Sequence, residues 1–342
     1  MKQVHLAILG GVGLCLGVAG GLAATGMLTP YLPQALKEAA RSASPELPAS
    51  PELKSEPQGL PQSDETAYIA FDQGRYLTAL ELAEQAAGRN DPQAHTLIGR
   101  IYGDGLGVPK DEATAARWYA RAAELGDTAG MLALGTMLAE GRGVAKDMNL
   151  AAEMFEKAAA TGDPLANYNL GLLFLRGTGK PENPYRAALH IKYAAEKGIA
   201  AAQYDLAALY LDGSGVPNDA LEAARWSSKA AAQGLPAAEY DYAVMLLRGR
   251  GLTADAEKAI PYLMSSANKG VAGAQNRLAN VYLEGVGVEA SPVEAAKWRL
   301  IAKNSGITDD KLDLFIAALP EADRAKAEAA AVEWREKKQV MP

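Results

Sequence analysis

Residues 202–234 read AQYDLAALYLDGSGVPNDALEAARWSSKAAAQG. Ala202, Leu206, Leu209 and Tyr210 fall at i, i+4, i+7 and i+8, the spacing that lays one apolar stripe along an α-helix. Gly213-Ser214-Gly215 breaks that helix. Val216 and Pro217 follow, and Asp219 stands where an N-cap belongs, ahead of a second stripe of Ala223, Ala224, Trp226, Ala230 and Ala231. The second helix stops at Gly234, in the place of a left-handed C-cap glycine. The stretch is therefore a hairpin of two helices.

That hairpin is one of six. The Gly-x-Gly pair recurs at Gly105/Gly107, Gly141/Gly143, Gly177/Gly179, Gly213/Gly215, Gly249/Gly251 and Gly285/Gly287, each pair 36 residues from the last. The closing glycine recurs in step at Gly126, Gly162, Gly198, Gly234, Gly270 and Gly306, so six units tile residues 91–306 without a gap. A period of this size marks a solenoid, in which each unit buries its apolar face only against its neighbours. Small residues in columns such as Ala115/Ala116, Ala151/Ala152 and Ala223/Ala224 let paired helices approach, and Trp118, Met154, Trp226, Tyr262 and Trp298 fill the space beyond. The expected fold is all-α: an α-solenoid superhelix of antiparallel helix pairs, one array rather than two globular domains.

The pattern Ala202-x-x-x-Leu206-Ala-x-x-Tyr210-x-x-Gly213-x-Gly215-Val216-x-x-Asp219-x-x-x-Ala223-x-x-Trp226-x-x-x-Ala230-Ala231-x-x-Gly234 resembles a Sel1-like repeat, the longer-looped relative of the tetratricopeptide repeat. Single copies depart from it: Lys180 replaces the valine after the loop, Ser291 the capping aspartate, and Tyr242 the core leucine. Ahead of the six, residues 64–90 resemble one shorter tetratricopeptide unit. After them, residues 307–342 read as closing helices, over 308–317 and 321–338, that cover the last apolar face.

The N-terminus has a different character. No charged residue lies between Lys2 and Lys37, and Leu6 to Leu28 is a run of 15 apolar side chains, 7 glycines and Thr25. Its 23 residues are enough to span a bilayer as a hydrophobic helix, which takes roughly 20. Two readings of residues 1–28 stand open. One is an uncleaved signal-anchor whose Gly13, Gly17 and Gly21 share one helix face and admit a second membrane helix. The other is a cleaved signal peptide, with small-x-small sites at Gly21-Leu22-Ala23 and Ala24-Thr25-Gly26. The first leaves the repeats anchored at the inner membrane and facing the periplasm, and the second leaves them periplasmic or secreted. Residues 29–63 hold seven prolines among Ser, Glu and Gln and read as a tether.

Composition narrows the chemistry. With 34 Lys+Arg against 41 Asp+Glu the chain is acidic, which disfavours a phosphate backbone, so no nucleic-acid partner is expected. One cysteine and three scattered histidines (His5, His95, His190) supply neither a disulfide framework nor an expected metal site. The Gly-x-Gly pairs are flanked by helical patterns on both sides, whereas a nucleotide loop needs a strand before the glycines. His190 falls in the column of Trp118, Trp226 and Trp298 and reads as a core or groove-edge residue; His95 stands alone beside Thr96. No nucleophile pairs with a base, so neither enzyme chemistry nor a cofactor is expected. Most carboxylates fall at helix starts, among them Asp91, Asp111, Asp127, Asp147, Asp163, Asp219 and Asp255, where they favour the positive end of the helix dipole and read as structural.

The resemblance carries over a concave groove lined by the first helix of each pair. In this sequence the matching columns hold Tyr168, Tyr204, Tyr240 and Asn276, then Arg100 and Asn280, then Arg176 and Arg248. Tyrosine and arginine dominate interface energetics, so these are the candidate partner-binding residues. The tyrosines have two open roles, binding or packing between successive first helices. Arg142 and Arg250, like Arg176 and Arg248, lie near the loops and have no evident packing duty. The resemblance implies an adaptor or regulator of the bacterial cell envelope that binds a protein partner, such as a membrane sensor or an envelope assembly. Two alternatives stand beside it. One is a scaffold forming homo-oligomers at the membrane. The other is an envelope hydrolase, an association of cysteine-rich secreted relatives that a cysteine-free repeat region disfavours.

Overall fold

The structure, a computed structural model, describes residues 66–340. The hydrophobic run at 6–28 with Gly13, Gly17 and Gly21, and the proline-rich stretch at 29–63, lie outside the described residues. Among the described residues there are sixteen helices and no strand, and no helix is long and apolar enough to cross a membrane. In chain order they are α1 (Ala67–Asp72), α2 (Tyr76–Ala87), α3 (Pro92–Asp104), α4 (Glu112–Glu124), α5 (Thr128–Glu140), α6 (Met148–Ala160), α7 (Pro164–Arg176), α8 (Pro184–Glu196), α9 (Ala200–Asp212), α10 (Ala220–Ala232), α11 (Pro236–Arg248), α12 (Ala256–Asn268), α13 (Ala272–Glu284), α14 (Pro292–Asn304), α15 (Asp310–Ala318) and α16 (Glu321–Val340). Contacts divide the chain into two compact units, one ending at Glu182 and one beginning at Asn183, so the boundary falls in the loop between α7 and α8.

All twelve helices from α3 to α14 have 13 residues; a left-handed glycine ends the first helix of every repeat, and an Asp, Asn or Ser side chain caps the start of every second one. Gly213 shows the stop: it sits at φ +68°, where a Cβ is penalised, and its N–H bonds the Leu209 carbonyl. Asp219 shows the start, its carboxylate accepting from the Leu221 and Glu222 N–H groups while its own N–H reaches back 3.0 Å to the Tyr210 carbonyl. That last bond clasps the two helices of a hairpin together. It recurs as Asp111 to Tyr102, Asp147 to Leu138, Asp255 to Leu246 and Ser291 to Tyr282. All seven helix-start aspartates cap their helices, and Ser291 does so as well, its hydroxyl 3.3 Å from the Glu294 N–H.

The second glycine of each pair has a separate duty. At Gly215 an added Cβ would lie 2.0 Å from the Pro184 carbonyl oxygen, because the loop of one repeat rests against the first turn of the preceding repeat's second helix. The same joint brings Gly143 onto Glu112, Gly179 onto Met148 and Gly251 onto Ala220. The alanine columns at 115/116, 151/152, 187/188, 223/224 and 295/296 are all at most 4% exposed, so helix backbones meet closely there.

A buried polar column stitches the repeats further. Asn167, Gln203 and Gln275 each donate from the side-chain amide to a carbonyl at the end of the helix before them, Ala159, Ala195 and Ala267. Each amide adds a side-chain bond to a helix-end carbonyl that also accepts from the closing glycine's N–H, Gly162, Gly198 or Gly270. Glu239 occupies the same column but has no amide to donate. It accepts instead from Lys269 Nζ at 2.7 Å and Ser265 Oγ at 2.8 Å. His95 also falls there, not alone as the sequence implied: it is 4% exposed, packs on Trp118 at 5.4 Å, and its Nδ1 lies 2.7 Å from the Asp91 carbonyl.

Helices flank the repeats in each unit. In the first, Ala70, Phe71, Ala79 and Ala83 of α1 and α2 join Leu97, Ile98 and Ile101 of α3 in one core. In the second, α16 lies against α14, burying Ala327 and Ala331, and Trp334 meets Trp298 edge-on at 5.9 Å.

Candidate interaction surface

In the second unit, the tyrosine column on the first helices links each repeat to the next. The Tyr204 hydroxyl on α9 donates to Asp241 on α11 at 2.8 Å. Burial and the Asp241 carboxylate push its phenol well above the usual range, so it stays a donor. Tyr240 on α11 lays its ring against Gly273 on α13, where a Cβ would come within 3.2 Å of it. Both rings are half-buried, so they wedge successive first helices while leaving an edge open to solvent. Tyr168, on α7 of the first unit, is half-buried too.

Asn276 continues the column and belongs to a polar knot at the end of the array. Its amide donates to Asp309 at 2.9 Å and accepts from Arg299 at 3.0 Å. Arg299 is 1% exposed and forms a two-pronged pair with Asp313, both contacts at 2.9 Å, with a third bond to the Ile307 carbonyl. Asn280 joins through the Asn276 carbonyl at 3.0 Å and Asp309 at 3.4 Å. Burial pushes the Asp309 carboxyl up, but hydrogen bonds from Asn276 and the Leu312 N–H outweigh it and hold it below the usual range. Asn276 and Asn280 thus tie the last repeat to the loop before α15.

The arginines divide into committed and uncommitted. Arg100 lies 4.7 Å over the Phe71 ring and 3.6 Å from Asp104, which fixes it against α1. Arg142, expected to be idle near its loop, pairs with Glu140 and, at 3.6 Å, with Glu112. Arg176 and Arg248, ending α7 and α11, make no hydrogen bond or ion pair among the described residues.

Arg248 lines a cleft of about 190 Å³ with Arg277, Val244, Leu247, Val281 and Glu284. A second cleft, of about 420 Å³, adjoins it through Arg277 and Asn280 and includes Tyr240, Asn276 and Asp309. Four of the sequence-derived residues, Tyr240, Asn276, Asn280 and Arg248, therefore meet along α11 and α13. Tyr168, Arg100 and Arg176 belong to the other unit. Arg277 was missed, although its column carries a signal: it holds Asp205 and Asp241 in the two preceding repeats and then reverses sign. Arg299 was missed as well; its column holds Tyr119, Phe155, Ile191, Ser227 and Leu263, and no charge before it. Among the described residues no three His, Cys, Asp or Glu side chains gather as metal ligands.

Compared with known families, residues 92–127, 128–163, 164–199, 200–235, 236–271 and 272–306 each match the Sel1 repeat. The chain belongs to the Sel1 repeat family. Sel1 repeats generally mediate protein–protein binding, and the helical repeat solenoid is the architecture the family predicts. Among solved structures, a Sel1 repeat protein from Oxalobacter formigenes aligns at 28% identity and a TM-score of 0.63, over 70% of this chain and 98% of its own. A second, c5321, a protective antigen present in uropathogenic Escherichia coli strains and displaying an SLR fold, aligns at 27% identity and a TM-score of 0.53. That alignment covers 77% of this chain and 64% of the antigen, so this chain accounts for slightly less than two thirds of its length. No curated protein matches the sequence significantly.

Proposed function

We propose that this Sel1 repeat protein is a non-enzymatic interaction module of the bacterial cell envelope, an adaptor or regulator that binds a partner protein along its first-helix surface. The observation that carries the reading is the pair of adjoining clefts on α11 and α13, where an aromatic ring edge, amides and two uncommitted guanidiniums border aliphatic side chains. That mixture suits protein recognition, in which a few Tyr and Arg anchors supply most of the energy. A surface built on helices already packed in place gives up little conformational freedom when a partner docks. Residues 6–28 support an envelope location with the repeats in the periplasm, and residues 29–63 act as the tether.

Affinity capture with the full chain in detergent tests this. A defined protein should be recovered from envelope extracts, and Tyr240→Ala combined with Arg248→Ala should abolish recovery while the circular dichroism stays helical. Unchanged recovery, or recovery of nothing above a mock column, would sink the reading. Sequencing the N-terminus of the mature protein decides between anchor and cleaved signal.

A further inference from the structure

We propose that the cleft between α11 and α13 receives an acidic segment of the partner, a carboxylate set beside an aliphatic side chain. This rests on the interaction reading above and specifies the chemistry of its site. Arg248 is exposed and Arg277 half-buried, and neither has a hydrogen bond or ion pair among the described residues. Several other guanidiniums of the chain have a carboxylate in place: Arg121 with Glu124, Arg225 with Glu222, Arg299 with Asp313. Other arginines, such as Arg176, are also unpaired among the described residues; Arg248 and Arg277 differ in that two such guanidiniums border one cleft.

The cleft's own acids do not serve them. Glu284 is drawn to Lys311 at 3.1 Å, and Asp309, in the adjoining cleft, accepts from Asn276 and the Leu312 N–H. Positive charge is therefore left over on the rim. The floor is aliphatic, with Val244, Leu247 and Val281, and Val286 stands 36% exposed at its mouth. A volume of about 190 Å³ has room for one branched side chain with a carboxylate at its edge. Guanidinium forks bind carboxylates through paired, charge-assisted hydrogen bonds, and a partly desolvated floor strengthens them. An acidic residue next to Leu, Ile or Val in the partner satisfies both halves.

The probe is a phage-displayed library of random dodecapeptides, panned on the full-length protein in detergent micelles. The leading sequence is then synthesised with a fluorescent label for anisotropy. Enriched peptides should carry Asp or Glu beside an aliphatic residue. Affinity should fall about tenfold for Arg248→Ala or Arg277→Ala, and similarly when the peptide's acid becomes its amide. Weakening with added salt should accompany this. Neither arginine has a folded partner to lose, so both variants should keep the wild-type melting temperature. Peptides that lack acids, or that bind the double variant as tightly as wild type, overturn the inference. If such peptides nevertheless lose affinity with Tyr240→Ala, the interaction module survives and only its acidic preference falls. A library that enriches nothing counts against both.

Discussion

At the residue scale the most consequential side chain is Arg299. It is almost wholly buried and serves Asp313, Asn276 and the Ile307 carbonyl at once. Breaking a buried pair from one side leaves the other stranded, so Asp313→Ala, which abandons a guanidinium at 1% exposure, should destabilise more than Arg299→Met, which leaves a carboxylate able to hydrate. The first should cost about 3 kcal/mol or more in urea unfolding, and the reverse order would refute the account. Titration adds a second expectation. The Arg299 hydrogen bonds hold the Asp313 carboxyl below its usual range, so the native state binds fewer protons there, and this stability, full above the unfolded carboxylate value, is lost as pH falls through the folded one. His95 acts at higher pH. Burial lowers its folded value, overcoming the opposing bond to Asp91, so its contribution is complete above about pH 6.5 and drains away below. His95→Gln keeps a donor for the Asp91 carbonyl, as Gln203 and Gln275 do for theirs, and should flatten the drop in melting temperature between pH 7 and 5. These residues were illegible in the sequence for one reason. Burial of Arg299 and His95 is created by neighbours from another helix, and a single column shows only that a residue is unusual there.

At the element scale the hairpin was legible almost in full, because its signals are local. Stripe, Gly-x-Gly, aspartate cap and closing glycine all act within a few residues of the feature they specify. What the sequence did not separate was the work of the two glycines. Gly213 is a helix terminator with only the left-handed backbone penalty at stake, so Gly213→Ala should cost about 1 kcal/mol. Gly215 meets the Pro184 carbonyl of the preceding repeat, and Gly215→Ala must push two backbones apart. It should destabilise by at least twice as much and raise amide exchange in both α8 and α10. Equal effects from the two alanines, read by thermal melts, would deny the joint its importance. The tyrosine column shows the same limit of local reading. Spacing placed Tyr204 and Tyr240 on one face, and the structure shows that face wedging onto the following helix while keeping an exposed edge.

For the whole molecule, the closing helices carry the clearest expectation. Trp298, Ile301 and Ala296 of α14 are buried partly because α15 and α16 lie over them. A chain ending at Gly306 would expose that face and remove Ile307, Asp309 and Asp313 from the bonds of Arg299, Asn276 and Asn280. It should elute as aggregate on size exclusion where the full chain runs as a defined species, since a repeat array needs a polar terminal unit for solubility. Monodisperse elution of the truncated chain would show α15 and α16 to be dispensable. Fold class was readable at this scale because periodicity is a global property carried by every copy. The cleft was not, because it depends on where copies differ: Arg277 for an aspartate, Arg248 without a mate, Asp309 beyond the last repeat.

The joint at Gly215 also bears on how such a gene can change length. Gly251 seats on the Ala220 carbonyl as Gly215 seats on that of Pro184, so excising residues 200–235 would bring Gly251 to Pro184 with a matching mortise already cut. Losing or duplicating 36 codons leaves every seam closed, whereas losing one or two leaves a seam with nothing to sit on. Variation in this chain's descendants should therefore arrive in whole modules, and a partner's reach along the row of modules can lengthen without any hairpin being redesigned.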